Sequence, residues 1–470
     1  MSAADLAFTP ATELVGLIRA RKLSPVELTR AVLERIERLN PTLNAFCTIT
    51  ADAALAAARR AEQAVMSGEP LGPIHGLPFS VKDLALTKGV PTKFGSHIFA
   101  DRIGEVDAPY VWRLHEAGGI MVGKTTSPEF GWKALGDSPL TGITRNPWNT
   151  RVTTGGSSAG AGAAAAAWLG PLHQGSDGAG SIRIPSAFCG IVGVKPNYGR
   201  VPLWPVSNND YATHAGPMTR TVADAALMLG VMAGPDPMDA TALDAPPPDY
   251  LGLLDRGVKG LQVAFSSDLG GLRVDPDVAS VVAAAARAFE SLGAGVEEVK
   301  PAFADSHDMI RLMWGAHYLG NYGQFLDEWR NRMDPGLVAC MDEAKRWSAQ
   351  EYVAMRGRKI GYWDSVRPLF ERYDLLLTPT TSVTAFEVGR LNPAGWPQHA
   401  WDWFPWASFS YPFNFTGQPA VTVPAGFTAA GLPVGLQIVG RRLAEVTVLQ
   451  AAAAFERARP WADRRPEMAS

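Results

Sequence analysis

The sequence predicts an α/β protein with a largely covered sheet, and three observations carry that reading. Apolar runs of strand length recur, first at 77–81 and again at 120–122. Stretches with helical spacing stand between such runs, and Gly-rich loops join the two kinds of element. The composition supplies a large core: of 470 residues, 47% are hydrophobic and 19% charged, which argues against disorder.

The first 70 residues read as helices. Ser24-Pro25-Val26-Glu27 has the form of a capping box with Pro at the first helical position. Leu28, Val32, Ile36 and Leu39 follow at helical spacing, and Asn40-Pro41 is a stop signal. Residues 51–66 form an Ala-rich helix ended by Gly68. Leu77, Phe79 and Val81 then alternate with Pro78, Ser80 and Lys82 as in a strand. A helix over 108–117 leads into a short buried strand at 120–122, and Gly-rich loops and short apolar runs fill 123–199. The acidic, Pro-rich stretch 234–250 reads as a surface crossover, because a strand (261–265) and a helix (276–292) follow it. Residues 308–372 are helical and rich in Trp, Tyr and Met, as expected of a cover over a cleft, and late strands fall at 374–377 and 420–423. Length alone suggests about three domains of roughly 150 residues. The continuity of strands and helices favours one domain over 1–470, with a helical segment (1–70), a core (71–240) and a cover (301–372).

The bulk numbers exclude several classes. The net charge is −3 with both signs interspersed, so no nucleic-acid face is expected. Cys47, Cys189 and Cys340 are few and far apart, which fits a reducing cytoplasm and neither a disulfide framework nor a zinc site. The N-terminus MSAADLAFTP carries acidic Asp5 and no apolar signal region. The longest apolar run, 159–172, is mostly Ala and Gly and too short to span a bilayer.

The chemistry concentrates in GSDGAGSIRIP (175–185), where small residues surround Ser181. A serine nucleophile needs a base, commonly histidine, and only His173 is near in sequence. A buried lysine can serve, since burial lowers its ordinary pKa of about 10.4 by several units. Lys82 stands in a strand whose other face carries Leu77, Phe79 and Val81. An ion pair with Asp83 or a strand-edge charge is the alternative reading of that lysine. In TTGGSSAGAG (153–162), Ser157 could bridge Lys82 and Ser181, because a hydroxyl both donates and accepts; a tight turn with a serine cap is the alternative. GSSAG also fits the G-x-S-x-G nucleophile elbow, but an elbow needs a hydrophobic strand before it, and TRNPWNTRVTT is polar and Pro-broken. No phosphate-loop or dinucleotide motif is present.

GLPFSVKDL (76–84), GKTTSPEFG (123–131), NPWN (146–149), GGSSAGAGAAAAA (155–167) and the stretch 175–200 together resemble the amidase signature family. The resemblance continues through 215–239, YDLLLTPT (373–380) and 415–440, nearly the whole chain in order, with 75 residues from Lys82 to Ser157 and 24 from Ser157 to Ser181. It implies the amidase signature fold: a mixed, mostly parallel twisted sheet covered by helices on both faces. It also implies a Ser–cis-Ser–Lys triad, with Ser181 the nucleophile, Ser157 the bridging serine before a cis peptide and Lys82 the base. Backbone N–H groups of Gly178, Ala179, Gly180 and Ser181 would form the oxyanion hole, and Asp177 and Arg183 would pair to hold the loop. The implied activity is amide hydrolysis through an acyl-enzyme, with no metal or organic cofactor. Carbamate (urethane) or ester hydrolysis by the same acyl chemistry is the alternative. A non-enzymatic protein on this fold is disfavoured, because Lys82, Ser157 and Ser181 are all present.

Departures from the family pattern bear on substrate. Gly178-Ala179-Gly180 stands where Thr-Gly-Gly is common, which would put a methyl beside the acyl site, and Thr126 replaces the asparagine of GKTN. The position where the family's amidotransferases carry a substrate-binding acid holds Ala407, which argues against that role. Trp401, Trp403, Phe404, Trp406, Phe409 and Tyr411 crowd a Pro-broken stretch before the FTGQPA motif. They are either core or cleft wall. The cleft reading assigns Thr126, Trp403, Trp406 and Tyr411 to substrate, with Trp204 and Trp314 as further aromatics, and predicts a preference for uncharged hydrophobic or aryl amides. The expected partner is thus a small-molecule amide or carbamate, with no nucleic acid and no membrane, for a cytoplasmic monomer or homodimer.

Overall fold

The computed structural model describes residues 6–469 apart from Asn208 and Asp210, so Asp5 and the other first residues lie outside the described part. Eleven strands form one sheet: β1 (Phe46–Ile49), β2 (Pro78–Lys82), β3 (Ile120–Thr125), β4 (Leu172–Asp177), β5 (Val192–Lys195), β6 (His214–Thr219), β7 (Gln262–Phe265), β8 (Gly295–Glu298), β9 (Leu375–Pro379), β10 (Ala420–Phe427) and β11 (Pro433–Gly440). Their spatial order is β1-β3-β2-β4-β6-β5-β10-β11-β9-β7-β8. Helices cover both faces. On β11, Gly435 meets Ala187 of one helix and Gly440 meets Val448 of another. Five positions apart on a strand, these residues point to opposite sides.

The sheet is mixed, as expected, but it is not mostly parallel. Six of its ten pairings are antiparallel and four parallel. The parallel pairs lie towards the two ends, β3-β2-β4 and β9-β7-β8, where helices make the crossovers. The antiparallel middle includes β10 and β11, joined by a short turn in which the Thr428 amide donates to the Leu432 carbonyl at 2.9 Å and Gly431 takes φ +78°.

The N-terminal segment is helical except for β1, which pairs antiparallel with β3. The helix Pro25–Leu43 begins as expected, with Ser24 Oγ accepting from the Val26 and Glu27 amides. It runs through Pro41 and ends at Asn44, whose left-handed conformation and amide bond to the Asn40 carbonyl close it. The helix Ala51–Ser67 ends at left-handed Gly68. The stretch 233–250 contains no helix or strand. Beyond it the cover comprises the helices His307–Tyr322, Pro335–Ala344 and Ala349–Arg372.

The core has two characters. Around much of the sheet it is Val, Leu, Ile and Ala. Beneath the cover it is Trp, Phe, Tyr and Met, and the cleft opens beside this second part. No helix among the described residues is long and apolar enough to cross a membrane.

Candidate active site

Three chain reversals converge at the carboxyl ends of the parallel strands β2 and β4, the usual place for a site in an α/β sheet. Lys82 is the last residue of β2 and Ser176 the fifth of β4. After β4, residues 178–181 form a turn that enters the helix Arg183–Cys189. Ser157 lies in the turn before the helix Ala159–Ala166, whose eight residues are all buried. Small side chains let that helix sit deep in the molecule. The backbone amide of Ser158 donates to the Ser181 carbonyl at 3.1 Å and ties the two turns together.

Lys82, Ser157 and Ser181 line one cleft of about 340 Å³. Lys82 Nζ donates to Ser157 Oγ at 2.7 Å and to Ser176 Oγ at 3.0 Å. Burial lowers the Lys82 pKa to about 7, and Asp177 opposes that shift only in part. Near neutral pH the amine is therefore available as a base. The peptide bond preceding Ser157, Gly156–Ser157, is cis, so the cis bond lies before this serine and not after it. Gly156 is required there, because a Cβ would overlap the Leu135 backbone.

The loop that carries Ser181 is held by a buried ion pair. Arg183 Nε and Nη2 grip the two Asp177 oxygens at 2.9 Å each, and both side chains are fully buried. The remaining guanidinium donors reach the Ser410 carbonyl (2.8 Å), Gln437 Oε1 (2.7 Å) and Asn414 Oδ1 (2.6 Å). Burial by itself would raise the Asp177 carboxyl. The Arg183 charge and hydrogen bonds outweigh it and hold the group well below the usual carboxylate range. Asn414 Nδ2 also donates to the Asp177 carbonyl at 3.0 Å and to its carboxylate at 2.9 Å. Ser176, Asn414 and Gln437 escaped the sequence reading. Ser176 sits inside the serine motif itself, whereas nothing local marks the other two.

The four expected oxyanion donors separate. The Gly180 amide donates to Asp177 Oδ1 at 2.7 Å and is thus committed to holding the loop. Gly180 itself has φ +117°, and a Cβ would run into Ser410. The amides of Gly178, Ala179 and Ser181 have no protein acceptor among the described residues. The Ala179 side chain is fully buried in the aromatic core and does not line the cleft, so the expected methyl beside the acyl site is absent from it.

The aromatic run before FTGQPA is core. Trp403 and Trp406 are fully buried and Tyr411 nearly so, and none of them lines the cleft. Their polar atoms are spent internally: Trp403 Nε1 on the Trp132 carbonyl, Trp406 Nε1 on the Leu391 carbonyl and Tyr411 Oη on Ser408 Oγ. Thr126 is buried too, bonded to Thr144 Oγ1 at 2.6 Å and to the Asn44 carbonyl. The wall comes instead from residues scattered in sequence. Trp314, Tyr318 and Tyr322 form one stripe of the cover helix, with His317 and Asn321 beside them, and Phe130 stacks on Tyr322 at 3.8 Å between centroids. Trp204 joins them, so both further aromatics, Trp204 and Trp314, do line the cleft. Trp403 stands behind Trp314, and both indoles donate to the Trp132 carbonyl. Burial lowers His317 to about 4, so it is a neutral imidazole. Among the described lining residues Lys82 is the only amine, and there is no carboxylate or guanidinium.

Known proteins resemble the chain over nearly its full length. Residues 27–449 match the Amidase family model. The chain is 40% identical to an acylamidase of Rhodococcus erythropolis, over 99% of this chain and 98% of that one. It is 38% identical to the A component of the glutamyl-tRNA(Gln) amidotransferase of Moorella thermoacetica, over 99% of each. Among solved structures, a bacterial aryl acylamidase of the amidase signature family superposes with a TM-score of 0.91 at 32% identity, covering 97% of both chains. Sequence match and fold together show that the chain belongs to the amidase signature family of hydrolases acting on carbon–nitrogen bonds.

Proposed function

We propose that the chain hydrolyses uncharged, hydrophobic or aryl amides through an acyl-enzyme on Ser181. The observation that carries this reading is the Lys82–Ser157 contact at 2.7 Å, made by a lysine of pKa about 7 at the floor of an aromatic cleft with no acidic side chain among its described lining residues. Ser181 Oγ attacks the amide carbonyl, and its proton passes to Ser157 Oγ while the Ser157 proton passes to neutral Lys82 Nζ. The amides of Gly178, Ala179 and Ser181 receive the oxyanion, each such donor lowering a barrier by about 3 kcal/mol. The C–N bond then breaks as the proton returns through Ser157 to the leaving nitrogen. Water attacks the ester by the same relay and frees Ser181.

The acylamidase relative and the aryl acylamidase structure support the aryl-amide reading. The amidotransferase relatives support the competing one. Against the latter, Ala407 is buried and offers no carboxylate to an α-ammonium group. The test compares kcat/KM for an aryl acylamide with that for glutamine, adding an aryl ester and an aryl carbamate. The aryl acylamide should lead glutamine by orders of magnitude. A preference for glutamine overturns the reading, and a carbamate that exceeds the amide replaces it with urethane hydrolysis.

A further inference from the structure

Tyr110 takes no part in the proton relay or the oxyanion hole, yet it lines the cleft at 6% exposure. It lies in the first turn of the helix Pro109–Glu116, whose start is tied to the chain leaving Lys82 by an Ala108 amide to Leu86 carbonyl bond of 3.0 Å. Its hydroxyl has no hydrogen-bond partner among the described residues. That hydroxyl is also absent from the set of polar atoms sealed away without a partner, a set that includes Tyr250 Oη and Tyr373 Oη. The hydroxyl therefore keeps some accessible surface, on a nearly buried ring that lines the cleft. Buried tyrosines normally spend their hydroxyl on a partner. Of the two other tyrosines that line the cleft, the buried Tyr318 does so, donating to the Phe130 carbonyl at 3.2 Å, whereas Tyr322, without such a bond among the described residues, is only half-buried. Burial pushes the Tyr110 phenol up, so it stays protonated and can donate across the working range of Lys82.

We infer that Tyr110 is a specificity-determining residue whose hydroxyl donates to an acceptor oxygen of the substrate distinct from the scissile carbonyl. The inference rests on the aryl-amide reading and narrows it to neutral amides bearing a second acceptor, such as an ether, ester or nitro oxygen. A mostly apolar pocket with a few placed polar groups fixes its ligand in this way.

The test uses two matched pairs of anilides: methoxyacetyl against butanoyl on the acyl side, and 4-methoxy against 4-ethyl on the amine side. In the wild type, one pair should favour its oxygen-bearing member by about tenfold in kcat/KM, the worth of one good hydrogen bond. In Tyr110→Phe that ratio should fall to about one, with the loss in KM. The ratio is internal, so a general fall in folded enzyme does not move it. A ratio that survives in Tyr110→Phe, or that is about one in both wild-type pairs, overturns the inference and leaves aryl-amide hydrolysis standing. A wild type that cleaves no anilide, while Ser181 still reacts with a fluorophosphonate, overturns the aryl-amide reading and this inference with it.

Discussion

Lys82 and Lys133 are both buried, at 1% and 6% exposure, and their surroundings drive them in opposite directions. Burial disfavours both ammonium groups. At Lys133 two carboxylates answer it, Asp137 at 2.6 Å and Asp334 at 2.7 Å, and the pKa rises above the ordinary lysine value. At Lys82 the partners in reach are two serine hydroxyls, and the pKa falls to about 7. A hydroxyl stabilises an ammonium far less than a carboxylate does. One lysine is therefore a fixed charge joining the 133–137 loop to the cover, and the other is an amine whose ammonium form can give up its proton near neutral pH. The ion pair that Lys82 lacks has been built a few residues from Ser181, between Asp177 and Arg183, where it holds the loop.

The largest effect expected from this contrast is on turnover. Lys82→Ala should cost several orders of magnitude in kcat, because the relay loses its proton sink, whereas Lys133→Met should retain turnover in whatever protein folds. Ser181→Ala should abolish fluorophosphonate labelling, and Ser158→Ala should keep it, since Ser158 Oγ is engaged with the Ser176 backbone. Labelling that survives Ser181→Ala and fails in Ser158→Ala would restore the elbow reading.

Stability should show the next largest effects. Removing the Asp177 charge in Asp177→Asn leaves Arg183 buried and unpaired, at a cost of about 3–5 kcal/mol in denaturant unfolding. Lys133→Met should likewise lower Tm. Lys82→Met should raise it, because it removes a desolvated amine that the fold does not neutralise. The sign follows from linkage: between about pH 7 and the unfolded value near 10.4, the unfolded chain binds a proton that folded Lys82 has released, so stability rises with pH there. The gain from Lys82→Met should therefore be larger at pH 6 than at pH 9. Equal gains at both values would remove the titration from the account.

Smaller effects should come from Ser176. Its hydroxyl accepts from the Lys82 ammonium and favours the charged form. Ser176→Ala should move the acid limb of the kcat/KM profile to lower pH, by a fraction of a unit to about one unit. A shift to higher pH would contradict the assigned direction of that hydrogen bond.

A second pair of regions shows what could be read from the sequence and what could not. The Lys82–Ser157 contact and the Asp177–Arg183 pair join residues of short motifs, and both were legible. The cleft wall was not. The densest aromatic run, 401–413, packs inward, and its indoles are spent on groups of the interior and the cover. The wall is assembled from Phe94, Tyr110, Phe130 and the cover helix, which only the tertiary fold brings together. One signal was available: Trp314, Tyr318 and Asn321 recur at helical spacing. The antiparallel centre of the sheet was missed for a related reason, since β4, β5 and β6 are short and flanked by the glycines that mark the site. Trp403→Ala and Trp406→Ala should accordingly cost about 3–5 kcal/mol of stability, as large core deletions do, with KM for an aryl amide changing less than in a Trp314→Ala variant.

The central claim is that Lys82 is neutral near physiological pH and takes the proton of Ser181 through Ser157. Isotope-labelled lysine observed by NMR over a pH series tests it most directly, with Lys82→Met assigning the resonance. The account predicts a lysine amine that titrates at about 7, and an acid limb of kcat/KM with the same midpoint. A Lys82 resonance that titrates near the ordinary value of about 10.4, while kcat/KM still rises through neutral pH, would contradict it.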